Sequence, residues 1–274
     1  MKRSFSARWR KVIVLLWVLL AAVLPPPIGG APLTEANVTQ VTKDVRLITD
    51  QAVARSAVLG DAVESGTTIR TGTKSGVELT FTNRSVIRLA GNTVVTFNKG
   101  SRDLTLKEGA MLFQVPKSAR GAKVNTGTIT AAATGTTGIL ERLGDAYFKI
   151  LLLEGDGRVY LPDRMGESVV VRAGQILMAK PEPKTLHEPA DYSIEQLYKT
   201  SRLITDFMPL ASQSRVLKAI QNQKNNPRLV PTNLVIFGRG TVVSLTEPAT
   251  PKRALPEKAA AKRPSPTPTP TPAP

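Results

Sequence analysis

The 274-residue chain contains no cysteine and a single histidine. The first absence excludes a disulfide framework, a thiolate zinc site and a cysteine nucleophile. The second leaves His187, followed by Glu188 and Pro189, as a solvated loop residue with only oxygen donors to complete a metal site. Aromatic residues make up 5% of the chain while 41% is apolar. The core must therefore be built from Val, Leu, Ile and Ala, a composition that suits packed strands. Catalytic motifs are also missing. There is no Gly-x-Ser-x-Gly elbow and no Ser-x-x-Lys. Gly155-Asp-Gly157 starts like a dinucleotide fingerprint, but position 160 is Tyr and strands surround it. Gly127 to Gly138 lacks the Gly-Lys-Ser/Thr ending of a phosphate loop, and its small residues suit turns and close backbone packing. Asp61, Glu64, Asp145, Glu154 and Asp156 are the carboxylates that could pair in space, and no spacing in the sequence brings two of them to a hydrolytic separation. These readings assign no catalytic, cofactor-binding or metal-ligating residue.

The apolar stretch Val12 to Leu24 has 13 residues, against about 20 for a spanning helix. Lys2, Arg3, Arg8, Arg10 and Lys11 precede it and Pro25 to Pro27 follow, the pattern of an export signal over residues 1–36. Cleavage is expected between residues 31 and 37, with Thr34-Glu35-Ala36 offering small residues at both required positions. An uncleaved membrane anchor is the alternative. The formal charge of +16 divides into +4 from this leader, +4 from the tail beyond Ala249 and +8 along the body. A basic surface favours anionic partners. Nucleic-acid modules concentrate such charge and interleave aromatics, and neither pattern is present, so no nucleic-acid partner is expected.

The body reads as short strands. Val41 to Thr49 and Ala52 to Val58 are candidate entry strands. Val77, Leu79 and Phe81 alternate with Glu78, Thr80 and Thr82, giving one apolar and one wet face. Asn83-Arg84 makes the turn to Ile87 and Leu89, and Gly91-Asn92 leads to a strand with Val95 and Phe97 inward. Strands of this length and spacing predict a sandwich or barrel.

The motifs in these strands carry a resemblance. Gly66-x-x-Ile69-x-Thr71-Gly72, Glu78-Leu79-x-Phe81, Ser85-Val-Ile-Arg-Leu89 and Leu106-x-x-Gly109-x-x-Leu112-Phe113-x-Val115-Pro-Lys117 resemble the FecR domain of bacterial envelope proteins. Ala131-Ala-Ala-Thr-Gly135-Thr136, Leu152-Leu-Glu-Gly155-x-Gly157 and Ala173-Gly174-Gln175 continue the likeness in order, across residues 42–180. The family commonly has Arg before the Gly-Thr pair, where Thr134 stands here. The resemblance implies a mainly β fold, a twisted solenoid-like pile of small sheets over residues 41–182, with Gly109 and Gly135 at positions that need close packing or positive φ. Family members in iron-uptake regulators pass an outer-membrane receptor's signal to a sigma factor through a cytoplasmic N-terminal segment. About eleven residues precede the apolar stretch here, which argues against a complete regulator of that kind.

From residue 190 the period changes. Ser193-x-x-Gln196 is a capping-box signature. Ile194, Leu197, Tyr198, Leu203 and Ile204 recur at helical spacing up to Pro209, and Val216, Leu217 and Ile220 form the stripe of a second helix over Ala211 to Gln223. This helical pair, residues 190–226, is expected to pack on the β body. Leu234 to Phe237 and Thr241 to Leu245, joined through Gly238-Arg-Gly240, predict a hairpin within 230–247. Residues 248–274, rich in Pro, Ala and Thr, have no apolar surface to bury and favour extended polyproline II.

The expected function is an exported, non-enzymatic binding module, periplasmic or secreted, for an envelope protein or polymer. The alternatives are a membrane-anchored signalling regulator and an envelope enzyme with an unrecognised site. Candidate contact residues are those facing outward on regular strands, Glu78, Thr80 and Arg88. No cofactor is implied.

Overall fold

A computed structural model of the protein describes residues 35–245 except 50–52, 100–102, 120, 165, 227–228, 230–231 and 238–240. The expected leader, the Pro-rich tail and the hairpin turn at Gly238 to Gly240 lie outside the described residues. The chain runs through β1 (Glu35–Thr42), β2 (Val45–Ile48), β3 (Arg55–Ser56), β4 (Ala62–Glu64), β5 (Thr68–Thr71), β6 (Gly76–Phe81), β7 (Val86–Leu89) and β8 (Val94–Phe97). It continues through β9 (Asp103–Val115), β10 (Ala122–Asn125), β11 (Thr130–Ala133), β12 (Thr136–Leu143), β13 (Tyr147–Glu154), β14 (Asp156–Tyr160), β15 (Ser168–Arg172), β16 (Gln175–Ala179) and β17 (Ala190–Asp191). Three helices follow, α1 (Ile194–Thr200), α2 (Arg202–Thr205) and α3 (Gln213–Gln223), then the pair β18 (Leu234–Phe237) and β19 (Thr241–Ser244).

The strands form two sheets that face one another. Sheet I has the order β4–β1–β6–β7–β9–β12–β13–β16–β17. Sheet II has the order β3–β2–β5–β8–β9–β10–β11–β14–β15. Strand β9 belongs to both. Its first half pairs with β8 and β10 in sheet II, and from Gly109 onward it pairs with β12 in sheet I. The residue at the crossover sits at φ +90°, and a Cβ there would lie 2.6 Å from the Thr93 Cα. Only glycine meets both conditions. Gly135, at φ +66°, has the same backbone demand, but its Cβ would meet the flexible Lys117 side chain at 2.6 Å.

Alternate residues of each strand fill the space between the sheets. Val77, Leu79, Phe81, Ile87 and Leu89 point inward as the alternation predicts, against Ile69, Val95 and Phe97 of sheet II. A second apolar cluster lies on the other side of sheet I. There Leu112, Ile139, Leu151, Leu153 and Ile176 meet Tyr192, Ile194, Leu197, Leu203, Val216 and Ile220 of the helical segment and Val235 of the hairpin. The order of layers is therefore sheet II, sheet I, then a helix-and-hairpin cover.

Several expectations need correction. Val41 to Thr49 is two strands, because Lys43, at φ 60°, turns the chain from sheet I into sheet II. Among the described residues of Ala52 to Val58, only Arg55–Ser56 is a strand. The β body begins earlier than residue 41: Ala36 is 1% exposed and pairs with Val63 and Phe81. The first helix carries the expected cap, Ser193 Oγ accepting from the Gln196 N–H at 3.2 Å, but it breaks at Ser201, whose ψ of 123° is extended. At α3 the buried positions are the N-cap Ser212 and, within the helix, Val216 and Ile220, spaced by four, which places Leu217 off the stripe at 47% exposure.

The two glycines give a stability test. Gly109→Val should cost about 4 kcal/mol, combining strain at positive φ with a backbone clash, and Gly135→Val about 2 kcal/mol, since a lysine stem can move. Urea denaturation measures both. Equal costs, or tolerance at Gly109, would contradict the crossover account.

Candidate functional site

The three outward candidates sit on adjacent strands of sheet I, Glu78 and Thr80 on β6 and Arg88 on β7. Their side chains point away from the sandwich core, as the alternation requires. Arg88 does not reach solvent, because residues 203–208 of the helical segment cover it, while Glu78 and Thr80 are half-buried. Arg88 is 1% exposed. Its Nε donates to Glu78 Oε2 at 2.8 Å, its Nη1 to the Leu203 carbonyl at 3.1 Å and its Nη2 to the Met208 carbonyl. The guanidinium also stands 5.0 Å from the centroid of the Phe207 ring, a favourable cation–π placement. The other carboxylate oxygen of Glu78 accepts from Thr39 Oγ1 at 2.8 Å, and Thr39 lies 3.2 Å from Thr80 Oγ1. Gln40, beside Glu78 on β1, donates to the Asp206 carbonyl at 3.0 Å. Glu78, Thr80 and Arg88 thus belong to one network, and it grips the chain's own residues 203–208. Burial pulls the Arg88 guanidinium below its ordinary range, with the Glu78 carboxylate opposing the shift.

Register explains why charge collects here. One cross-strand row on this face runs Gln40, Glu78, Arg88, Leu112, Ile139, Leu151, Ile176, Ala190. It begins polar and becomes apolar, and the cover matches it with carbonyls over Arg88 and aliphatic side chains over the rest. Two further charged groups anchor the cover. Glu154 receives both Nε and Nη2 of Arg215 at 3.1 Å each, and Thr137 Oγ1 lies 3.0 Å from Glu154 Oε1 and 2.8 Å from Ser212 Oγ. Lys149 is paired with Glu141 and donates to the Ser244 carbonyl at 2.9 Å. Glu141 also accepts from the Tyr147 hydroxyl at 2.7 Å. Burial first, and the Glu141 charge second, hold that phenol well above its usual range, so it stays protonated. Sequence reasoning had placed none of Glu141, Lys149 or Arg215 in a site.

This arrangement organises packing. A cavity of about 80 Å³ beside Arg88, Phe207 and Met208 is well below the roughly 300 Å³ at which small-molecule sites begin. No group of three or more His, Asp or Glu that could hold a metal occurs among the described residues. His187 is exposed in the loop between β16 and β17, and Gly155 and Gly157 lie at the turn between the antiparallel β13 and β14. On the opposite side of the molecule, a groove of about 640 Å³ crosses the outer face of sheet II, bordered by Asp103, Lys123, Asp156 and Arg158.

The fold is a two-sheet β-sandwich with one shared strand and a helical cover. Residues 67–156, about a third of the chain, match the family model described as FecR protein. A crystal structure of a candidate anti-sigma factor from Parabacteroides distasonis ATCC 8503, solved at 1.65 Å, aligns with 48% of this chain and 64% of its own at 14% identity, with a TM-score of 0.40. A second structure so described, at 2.50 Å, aligns with 67% of this chain and 98% of its own at 13% identity, with a TM-score of 0.39. This chain thus spans 64% of the first structure's length. No curated protein matches.

Removing the cation should be costly because its carboxylate partner stays buried. Arg88→Met should destabilise by about 3–5 kcal/mol, with part of the loss recovered when Glu78→Met is added. Residues 201–212 should become protease-sensitive in the single variant. A loss within about 0.5 kcal/mol on denaturation would show that the cover does not depend on this pair.

Proposed function

We propose that the chain is an exported, non-enzymatic module of the bacterial cell envelope that binds an envelope protein or polymer and serves signalling. One observation carries this reading: among the described residues, the buried charged side chains on the outer face of sheet I, Arg88, Glu141, Lys149 and Glu154, are consumed in ion pairs and in contacts that hold the cover. The FecR match over residues 67–156 supports a regulatory rather than catalytic setting. Arg88, held by Glu78, then acts inside the molecule to fasten residues 203–208, with Thr80 joined to the pair through Thr39, and an outside partner uses another surface. The basic leader-like segment supports delivery to the periplasm or beyond.

The second reading, a membrane-anchored regulator, is favoured by the same family match. The two differ at the N-terminus. Because Ala36 is buried and paired on β1, cleavage that leaves an intact sandwich should fall between residues 31 and 35, ahead of the Ala36 site offered by spacing alone. N-terminal sequencing of protein recovered from the envelope fraction checks this. A start at Met1 would establish the anchored form, and a start at Asn37 would mean that the first two residues of β1, with the buried Ala36, are dispensable.

A further inference from the structure

Sheet I is covered, whereas no described element lies across the whole outer face of sheet II. That face carries one cross-strand row from edge to edge: Ile48, Thr68, Thr96, Thr105, Asn125, Thr130, Tyr160 and Ser168, each the register partner of the next. Seven of the eight are short or rigid hydrogen-bonding side chains, and none is charged; Thr130 is buried and the other seven are half-buried, so the row is accessible from Ile48 through Asn125 and again at Tyr160 and Ser168. They are partly ordered by contacts with one another and their neighbours. Thr68 and Thr96 hydroxyls are 2.9 Å apart, Thr130 Oγ1 donates to Asn125 Oδ1 at 2.8 Å, and Thr105 Oγ1 donates to Asn98 Oδ1 at 3.0 Å. Such groups lose little entropy on binding.

Charge lies along the flanks. On one side of the row are Arg46, Arg70 and Lys107, and on the other Lys123 and Arg158, which border the groove of about 640 Å³. Arg70, Lys107, Lys123 and Arg158 form no ion pair with a carboxylate among the described residues, and Arg158 Nη1 donates to Ser168 Oγ at 2.8 Å. Arg46 is paired with Asp44, and Asp103, Glu108 and Asp156 supply the local negative charge. The cations exceed the acids and flank a neutral row.

We propose that the outer face of sheet II binds an extended acidic polysaccharide, laid across the strands along the Thr68–Thr96–Thr105–Asn125 row with its carboxylates toward the flanking cations. The proposal rests on the binding-module reading and names its partner. Neighbouring strands are about 4.8 Å apart, close to the rise of one sugar unit in an extended polysaccharide, so successive units can meet equivalent hydroxyl and amide groups. Nucleic acid fits less well. Its single strands are held by stacked aromatics, and Tyr160 is the one aromatic side chain in the row. A protein partner would want an apolar centre, and the row offers only Ile48 at its edge.

The test is affinity electrophoresis of the full mature protein at about 150 mM salt, where long-range attraction is screened, in gels containing polygalacturonate, neutral dextran or duplex DNA. Polygalacturonate should retard the protein, and dextran and DNA should not. Lys123→Glu with Arg158→Glu should weaken retention about tenfold or more. Thr68→Val with Thr96→Val should weaken it at unchanged charge. Lys218→Glu with Lys224→Glu, exposed on and just after α3, should leave it unchanged. Circular dichroism verifies that each variant is folded. Equal retardation by DNA, equal loss with the α3 variant, or no retardation by polygalacturonate would overturn the proposal. Shortening of the polymer during incubation is a separate outcome, which would overturn the non-enzymatic reading itself.

Discussion

A guanidinium taken out of water must find acceptors for its donors, and Arg88 imposes that requirement in the middle of a sheet face. Glu78 satisfies one edge. The rest must come from backbone carbonyls, and a helix releases carbonyls only in its last turn. The break at Ser201 and the end of α2 at Thr205 place the Leu203 and Met208 carbonyls where Arg88 reaches them. One buried cation therefore accounts for two features that helical periodicity alone would not produce, a helix too short to be stable by itself and an irregular segment up to Ser212. The same row of sheet I turns aliphatic beyond Arg88, and there the cover answers with Leu197, Leu203 and Val216.

The β body was legible because its period is two. Val77, Leu79 and Phe81 announce a face, and a hairpin turn at Asn83-Arg84 follows, with Arg84 at φ 64° and the Ser85 N–H donating to Asn83 Oδ1 at 2.9 Å. Local chemistry decided these elements, as it decided the Ser193 cap. The misreading of Arg88 had a different source. Alternation says which way a side chain points and nothing about what lies beyond it, and the partners here are 115 and 120 residues away. A signal for the cover was nevertheless available. In β13, Phe148, Ile150 and Leu152 point into the sandwich while Leu151 and Leu153 point out of it. A strand apolar on both faces is buried on both faces, so sheet I had to be covered. The charged positions Glu141, Lys149 and Glu154 on the same strands then had to be paired. Leu217 failed for a related reason: three apolar residues allow more than one stripe, and the buried one follows Ser212, whose hydroxyl meets Thr137.

The two sheets share an architecture and differ in what stands on their outer faces. Sheet I spends its charges inward on Leu203, Met208, Arg215 and Ser244. Sheet II keeps Arg70, Lys107 and Lys123 unpaired among the described residues. A buried ion pair contributes little net stability, yet breaking one costs several kcal/mol because the remaining charge is stranded. The cover is consequently held less by the strength of its contacts than by the cost of leaving them half made.

That distinction limits where a partner can act. To displace the cover from sheet I, a ligand would have to satisfy Arg88, Glu154 and Lys149 together, and re-bury Leu112, Ile139 and Leu151 as well. At about 3–5 kcal/mol for each stranded charge, failure at even two sites approaches the whole stability of a typical domain, about 5–15 kcal/mol. Peeling back the helices is thus close to unfolding the protein, and a ligand of ordinary affinity cannot drive it. For the binding role proposed above, recognition belongs on surfaces already exposed in the folded state, such as the outer face of sheet II, where binding requires no charge to be uncovered.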